Sequence, residues 1–152
     1  MPVLAAGRQA EYRLTGILKM DNKLKHLEFI QQAIGRMAAN SFLIKGWSIT
    51  LVSALFALAA KDANVRYIAI AYLPVPVFWL LDGYYLWQER LFRALYDRIR
   101  GTPPESIDFS MKTRDFVGGR NTWARCILSR TLLIFYMSLI VTMLVVMYFI
   151  SR

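Results

Sequence analysis

Apolar positions in this chain fall into two kinds of run. Some are long and continuous; others recur every three or four residues among charges. Thr131–Ile150, TLLIFYMSLIVTMLVVMYFI, is the clearest continuous run, 20 residues with no charge, proline or glycine. A helix of that length rises ~30 Å, the thickness of a bilayer's hydrocarbon core. Ser41–Ala60 carries one charge, Lys45, near its start, and Tyr67–Trp87 carries one, Asp82, near its end. A charge close to a helix end can extend along its own stem to the interface. Lipid cannot satisfy an open backbone, so the spans are expected as helices. The pattern predicts an all-α integral membrane protein with three transmembrane helices, over 41–60, 67–87 and 126–150.

The recurring pattern lies outside these runs. Over 21–40, Leu24, Leu27, Ile30, Ile34 and Met37 follow three- and four-residue steps, which predicts an amphipathic helix. Asp21 or Asn22 can cap its start, and no proline separates it from the first span. Over 88–100, Leu91, Leu95 and Ile99, with Phe92 and Tyr96, form a second stripe. The second span is expected to continue through it as one helix, until Gly101, Pro103 and Pro104 stop it. The two stripes either pack on each other or lie on the membrane surface. Residues 1–20 have weak periodicity and are expected as a tail, disordered or loosely helical. Residues 101–125 read as a loop jointed at Gly118–Gly119, with Asn121 or Thr122 capping the next helix. Pro74 and Pro76 predict a kink in the second span.

Charge orients the spans. Six Lys and Arg precede Ser41, two lie in the loop 61–66, nine lie between the second and third spans, and Arg152 follows the last. The positive-inside rule then orients a multi-pass protein. Its N-terminus and long second loop face the cytoplasm, and its C-terminus the periplasm. The net charge of +9 falls almost wholly on the cytoplasmic side. It implies an anionic partner: membrane lipids, a nucleotide or a nucleic acid. Cys126, the single cysteine, is expected near the cytoplasmic face and reduced. No cleavable secretory signal is expected. No zinc spacing, phosphate-cradling glycine loop or nucleophile elbow occurs, and His26 is the single histidine. Neither an enzyme nor a cofactor is expected.

Three constellations are candidates for function. Lys45 and Asp82 should lie at similar depth, because the first two spans run in opposite directions; Arg130 stands near the same level in the third. An ionisable group inside a span is a functional candidate with its partner. Here it is either an ion pair locking a helical hairpin or a charged gate element in an oligomer. Gly46, Thr50, Ser53, Ala54 and Ala57 fall near one another on the first span, suiting close helix approach or a polar pore lining through Thr50 and Ser53. Lys23, Lys25, Arg90, Arg93, Arg98 and Arg100 border a basic cytoplasmic face. Arginine's planar fork suits phosphate, but the same residues also suit a solvated, inside-positive flank.

The runs HLEFIQQAIGRMAANSFLIKGW and YLPVPVFWLLDGYYLWQERLFRALYDRIR resemble small bacterial membrane proteins of antiphage defence. The plan is similar to Hailong-type channel effectors and the broader SLATT group, over about residues 21–100. The third span departs from the commoner layout of two spans plus a separate domain. The resemblance implies a bacterial inner membrane and a homo-oligomeric effector that forms an ion-conducting pore there. It would be opened or held shut by a nucleotide or single-stranded DNA oligomer, with a nucleotidyltransferase encoded nearby. The alternative class is a non-conducting scaffold or anchor for a cytoplasmic partner. A third is an organiser of anionic lipid.

Overall fold

The computed structural model describes residues 2–62, 70 and 72–150. Helix α1 runs unbroken over Pro2–Asp62, 61 residues, or about 90 Å. The tail expected at 1–20, the amphipathic segment at 21–40 and the span at 41–60 are therefore one element. No proline follows Pro2 within it, and its glycines stand singly. One glycine costs about 1 kcal/mol of helix propensity, too little to stop a helix already propagating.

Helix α2 spans Pro74–Gly101. The kink expected at Pro74 and Pro76 is absent, because these prolines open the helix rather than interrupt it. The first backbone N–H groups of a helix have no intrahelical acceptor, so proline there loses nothing. Of the predicted span 67–87, residues 67–69 and 71 lie outside the described residues. At its other end α2 stops where Thr102 turns extended, just before Pro103. Lys23 Nζ donates to the carbonyls of Arg100 (3.0 Å) and Thr102 (2.8 Å), occupying acceptors left free at that end.

Two single 3-10 turns, Pro104–Ser106 and Arg114–Phe116, lead to a tight turn at Gly118 and Gly119. Both glycines have positive φ (144° and 52°), a backbone that favours glycine. Helix α3 covers Trp123–Ile127 and helix α4 Arg130–Ile150. The helix expected as the last span, over 126–150, thus starts at Arg130, with α3 separate before it. Leu128 and Ser129 break the helix where α3 turns to lie against α2. That docking is fixed by indoles: Trp79 Nε1 donates to the Ile127 carbonyl at 3.0 Å and Trp87 Nε1 to that of Asn121 at 2.8 Å.

The described residues are all-helical, with no strand among them. Two helical segments are long and apolar enough to cross a membrane, Glu11–Ala59 within α1 and Arg130–Phe149 within α4. α1 and α2 pack antiparallel and bury two separate cores. At one end Val52, Val75, Leu132, Tyr136 and Met143 join α1, α2 and α4. At the other, Ile30 and Ile34 of α1 meet Leu95 and Ile99 of α2, flanked by Leu27, Phe92 and Tyr96. The two periodic stripes therefore pack on each other, with Ile107 and Phe116 of the loop against them. Leu24, at the start of the first stripe, remains exposed.

Gly83 is where α2 meets α3 most closely. A Cβ there would lie 2.5 Å from Ile127 Cγ1 and 3.3 Å from Ile127 Cα. Gly83→Ala is expected to destabilise the protein by about 1–3 kcal/mol through overpacking. Adding Ile127→Ala should recover part of the loss. Thermal unfolding in detergent, followed by circular dichroism, measures both.

Candidate functional site

Where the apolar layer gives way to the charged one, α1, α2 and α4 converge on a buried carboxylate. Asp82 is 0% exposed. Lys45 Nζ lies 2.5 Å from its Oδ2, and the lysine side chain keeps 20% exposure. One helical turn earlier on α1, the Ser41 hydroxyl donates to Asp82 Oδ1 and accepts from Lys45 Nζ at 2.8 Å. From α4 the Tyr136 hydroxyl reaches Asp82 Oδ2 at 3.3 Å. Tyr136 also stacks on Trp79, with ring centroids 5.7 Å apart and planes 13° apart. Lys45 Nζ stands 5.9 Å from the Phe135 ring centroid, within cation–π range. A carboxylate without water needs several donors, and here α1 and α4 supply three to the one on α2.

The sequence places Lys45 and Asp82 together, and they meet. It suggests Arg130 at the same level, but Arg130 is exposed and Tyr136 takes that position. Ser41 and Tyr136 are not legible as members, because hydroxyls in an apolar run change its pattern little. Thr50 and Ser53 do not join the cluster. Both are exposed on α1, with Gly46, Ala54 and Ala57, and Thr50 turns its hydroxyl back to the Gly46 carbonyl at 3.0 Å.

The six basic residues do not form one free surface. Lys23 holds the end of α2. Lys25 pairs with Asp21 at 2.9 Å, and Arg93 with Glu89 at 2.7 Å. Arg100 approaches Asp97 at 3.8 Å. Arg98 turns toward the loop, to Asp115 at 3.9 Å and the Phe116 ring at 5.7 Å, and Arg90 lies 3.5 Å from the Arg120 carbonyl. Exposed pairs of this kind contribute up to about 1 kcal/mol each and open readily. The hydrogen bond and charge of Asp21 hold the Lys25 ammonium above its ordinary pKa.

His26 lies against the loop instead of in solvent. It is buried, its ring packs edge-on to Phe109 at 5.5 Å, and its Nε2 has no partner. Burial lowers its pKa below the ordinary histidine value, with the Asp108 charge opposing.

Comparison of the chain with protein-family models, curated proteins and solved structures finds no match.

Lys45→Met strands a fully buried carboxylate and should cost about 3–5 kcal/mol. Asp82→Asn should cost less, about 1–3 kcal/mol, because Lys45 can turn toward water. A Lys45→Met/Asp82→Leu double variant should be more stable than Lys45→Met, read by unfolding in mixed micelles.

Histidine 26 supplies the pH dependence. Its folded pKa lies below its unfolded value, near 6.5, so the unfolded chain binds more protons as pH falls past that value. Stability should be full above pH ~6.5 and decline below it, until the folded pKa is reached. Melting curves between pH 7.5 and 5 should show that fall, and His26→Gln should flatten it.

Proposed function

We propose that this chain is a three-span inner-membrane protein whose cytoplasmic helices sense an anionic nucleotide or DNA oligomer, and whose oligomer conducts ions. The observation that carries the reading is the continuity of α1 and α2. Each runs without a break from the apolar core around Ile30 and Leu95, in the charged layer, to the core around Val52 and Val75. A ligand that shifts the first core must shift the second, because a packed helix moves as a unit.

Several features support the membrane placement. Large apolar side chains stand uncovered along the apolar layer, from Phe42 at 77% to Ile134 at 72% exposure. Contiguous apolar surface of that extent needs lipid or protein over it. The second span completes the layer through Val75, Phe78 and Trp79, which pack between the other two helices. Lysines and arginines crowd the opposite end, which supports a cytoplasmic N-terminus and loop 101–125 and a periplasmic C-terminus.

The conducting path is assigned to the outer face of α1. Thr50 and Ser53 offer hydroxyls there, among small residues that let neighbouring copies approach. Lys45 and Asp82 are satisfied within one chain, so they lock the subunit and do not line the path. That same closure favours the second reading, a non-conducting anchor for a cytoplasmic partner. The resemblance of residues 21–100 to antiphage channel effectors supports the first, with a nucleotidyltransferase as the expected source of ligand.

Purified protein in planar bilayers should give discrete currents. Thr50→Lys should move their reversal potential toward that of the anion, while Gln88→Lys, outside the span, should not. Homogeneous oligomers that remain silent with and without nucleotides would reject the pore and leave the anchor.

A further inference from the structure

A groove of about 650 Å³ opens on the polar layer, between one face of α1 and the loop at Phe109. Its floor follows α1 from Asn22 to Arg36, roughly 21 Å along the helix axis. Phe109 covers one side. Its charged groups are Lys25, which Asp21 pairs at 2.9 Å from just outside the lining in an exposed contact that opens readily, and Arg36. Arg36 is exposed and has no ion pair among the described residues. Between the two cations lies Phe29, an aromatic ring 59% exposed, with Phe109 51% exposed nearby. The amides of Asn22 and Gln32 add donors and acceptors.

Bare aromatic faces are costly in water, and an unpaired arginine beside them attracts an anion, with Lys25 joining once it leaves Asp21. His26 adds a third sign. It lines the groove while its buried Nε2 lacks a partner, and an unsatisfied buried nitrogen in a native fold calls for an explanation.

We propose that this groove is a binding site for a phosphorylated ligand carrying a flat ring, a nucleotide or short oligonucleotide. The ring stacks at Phe29 and Phe109, and phosphates meet Lys25 and Arg36. Base stacking on aromatics beside a cationic track is the general solution for such ligands. The two cations are 11 residues apart on the helix, about 17 Å. That spacing fits phosphates at both ends of the ligand better than a single one. Arg36 is five residues from Ser41, where the apolar layer begins, but Lys25 is 16 residues from it, about 24 Å, so one lipid headgroup cannot bridge the two cations. The assignment rests on the ligand-sensing reading above, and places its ligand on α1 and the loop instead of on the arginines of α2.

The test is titration calorimetry on the full chain in phosphatidylcholine nanodiscs. The probes are 5′-phosphorylated trideoxyadenylate, ATP, adenosine and inorganic tripolyphosphate. Saturable binding of trideoxyadenylate is expected, weakening as salt rises. Adenosine and tripolyphosphate should each bind at least tenfold more weakly, since each supplies half of the recognition. ATP binding equal to that of trideoxyadenylate would assign the site to mononucleotides. Arg36→Ala and Phe29→Ala, both at exposed positions, should each weaken binding tenfold or more while leaving the melting temperature unchanged. Failure of both trideoxyadenylate and ATP to bind overturns the site. So does full binding by the Arg36→Ala/Phe29→Ala double variant, above all if Arg93→Ala/Arg98→Ala/Arg100→Ala abolishes it. Binding at the groove by a protein that stays electrically silent upholds the site and rejects the pore. Currents without binding of either nucleotide probe do the reverse.

Discussion

Asp82 is a carboxylate sealed from water, and the arrangement of three helices depends on satisfying it. The lysine and serine of α1 approach it from one side and the tyrosine of α4 from another. The serine and tyrosine hydroxyls have a short reach, so the three helices can neither slide nor rotate far without losing a hydrogen bond to the carboxylate. Apolar packing alone would tolerate many registers, because leucine against valine is nearly as good one turn along. The polar contact selects one. It also divides the molecule, since the cores on either side of it share no buried side chain.

Much of this was legible in the pattern of residues. The stripe that includes Ile30 and Ile34, and its counterpart with Leu95 and Ile99, are visible because burial repeats with the helical period. The meeting of Lys45 and Asp82 follows from counting depth in two oppositely running spans. Tyr136 is different. Its ring satisfies the hydropathy of the run, and only the fold reveals where its hydroxyl points. Pro74 and Pro76 mislead for a related reason: a proline looks disruptive until its position within the helix is known. The break at Leu128 and Ser129 has no local signal, since it arises from the docking of Trp79 and Gly83 against Ile127.

The groove beside His26 was the least legible part. Its floor lies on one helix, but Phe109 comes from a loop more than 70 residues away, and no periodicity predicts where a loop lies. What the sequence offers is only the oddity of Phe29, an aromatic outside the apolar stripe. The basic residues that stand out by number on α2 are largely engaged with nearby carboxylates and carbonyls. A count of charge is therefore a poor guide to where charge is free.

The uninterrupted length of α1 has a mechanical consequence. The helix is pinned near Lys45, with about 28 Å of it between that point and His26, and about 21 Å between it and Ala59 on the other side. A stiff rod held at one place is a lever with that place as its fulcrum. A tilt of about 5° would carry the two points roughly 2 Å in opposite directions, with no change in any backbone hydrogen bond. Displacement at the His26 end would thus arrive at the other about a quarter smaller and reversed in sense.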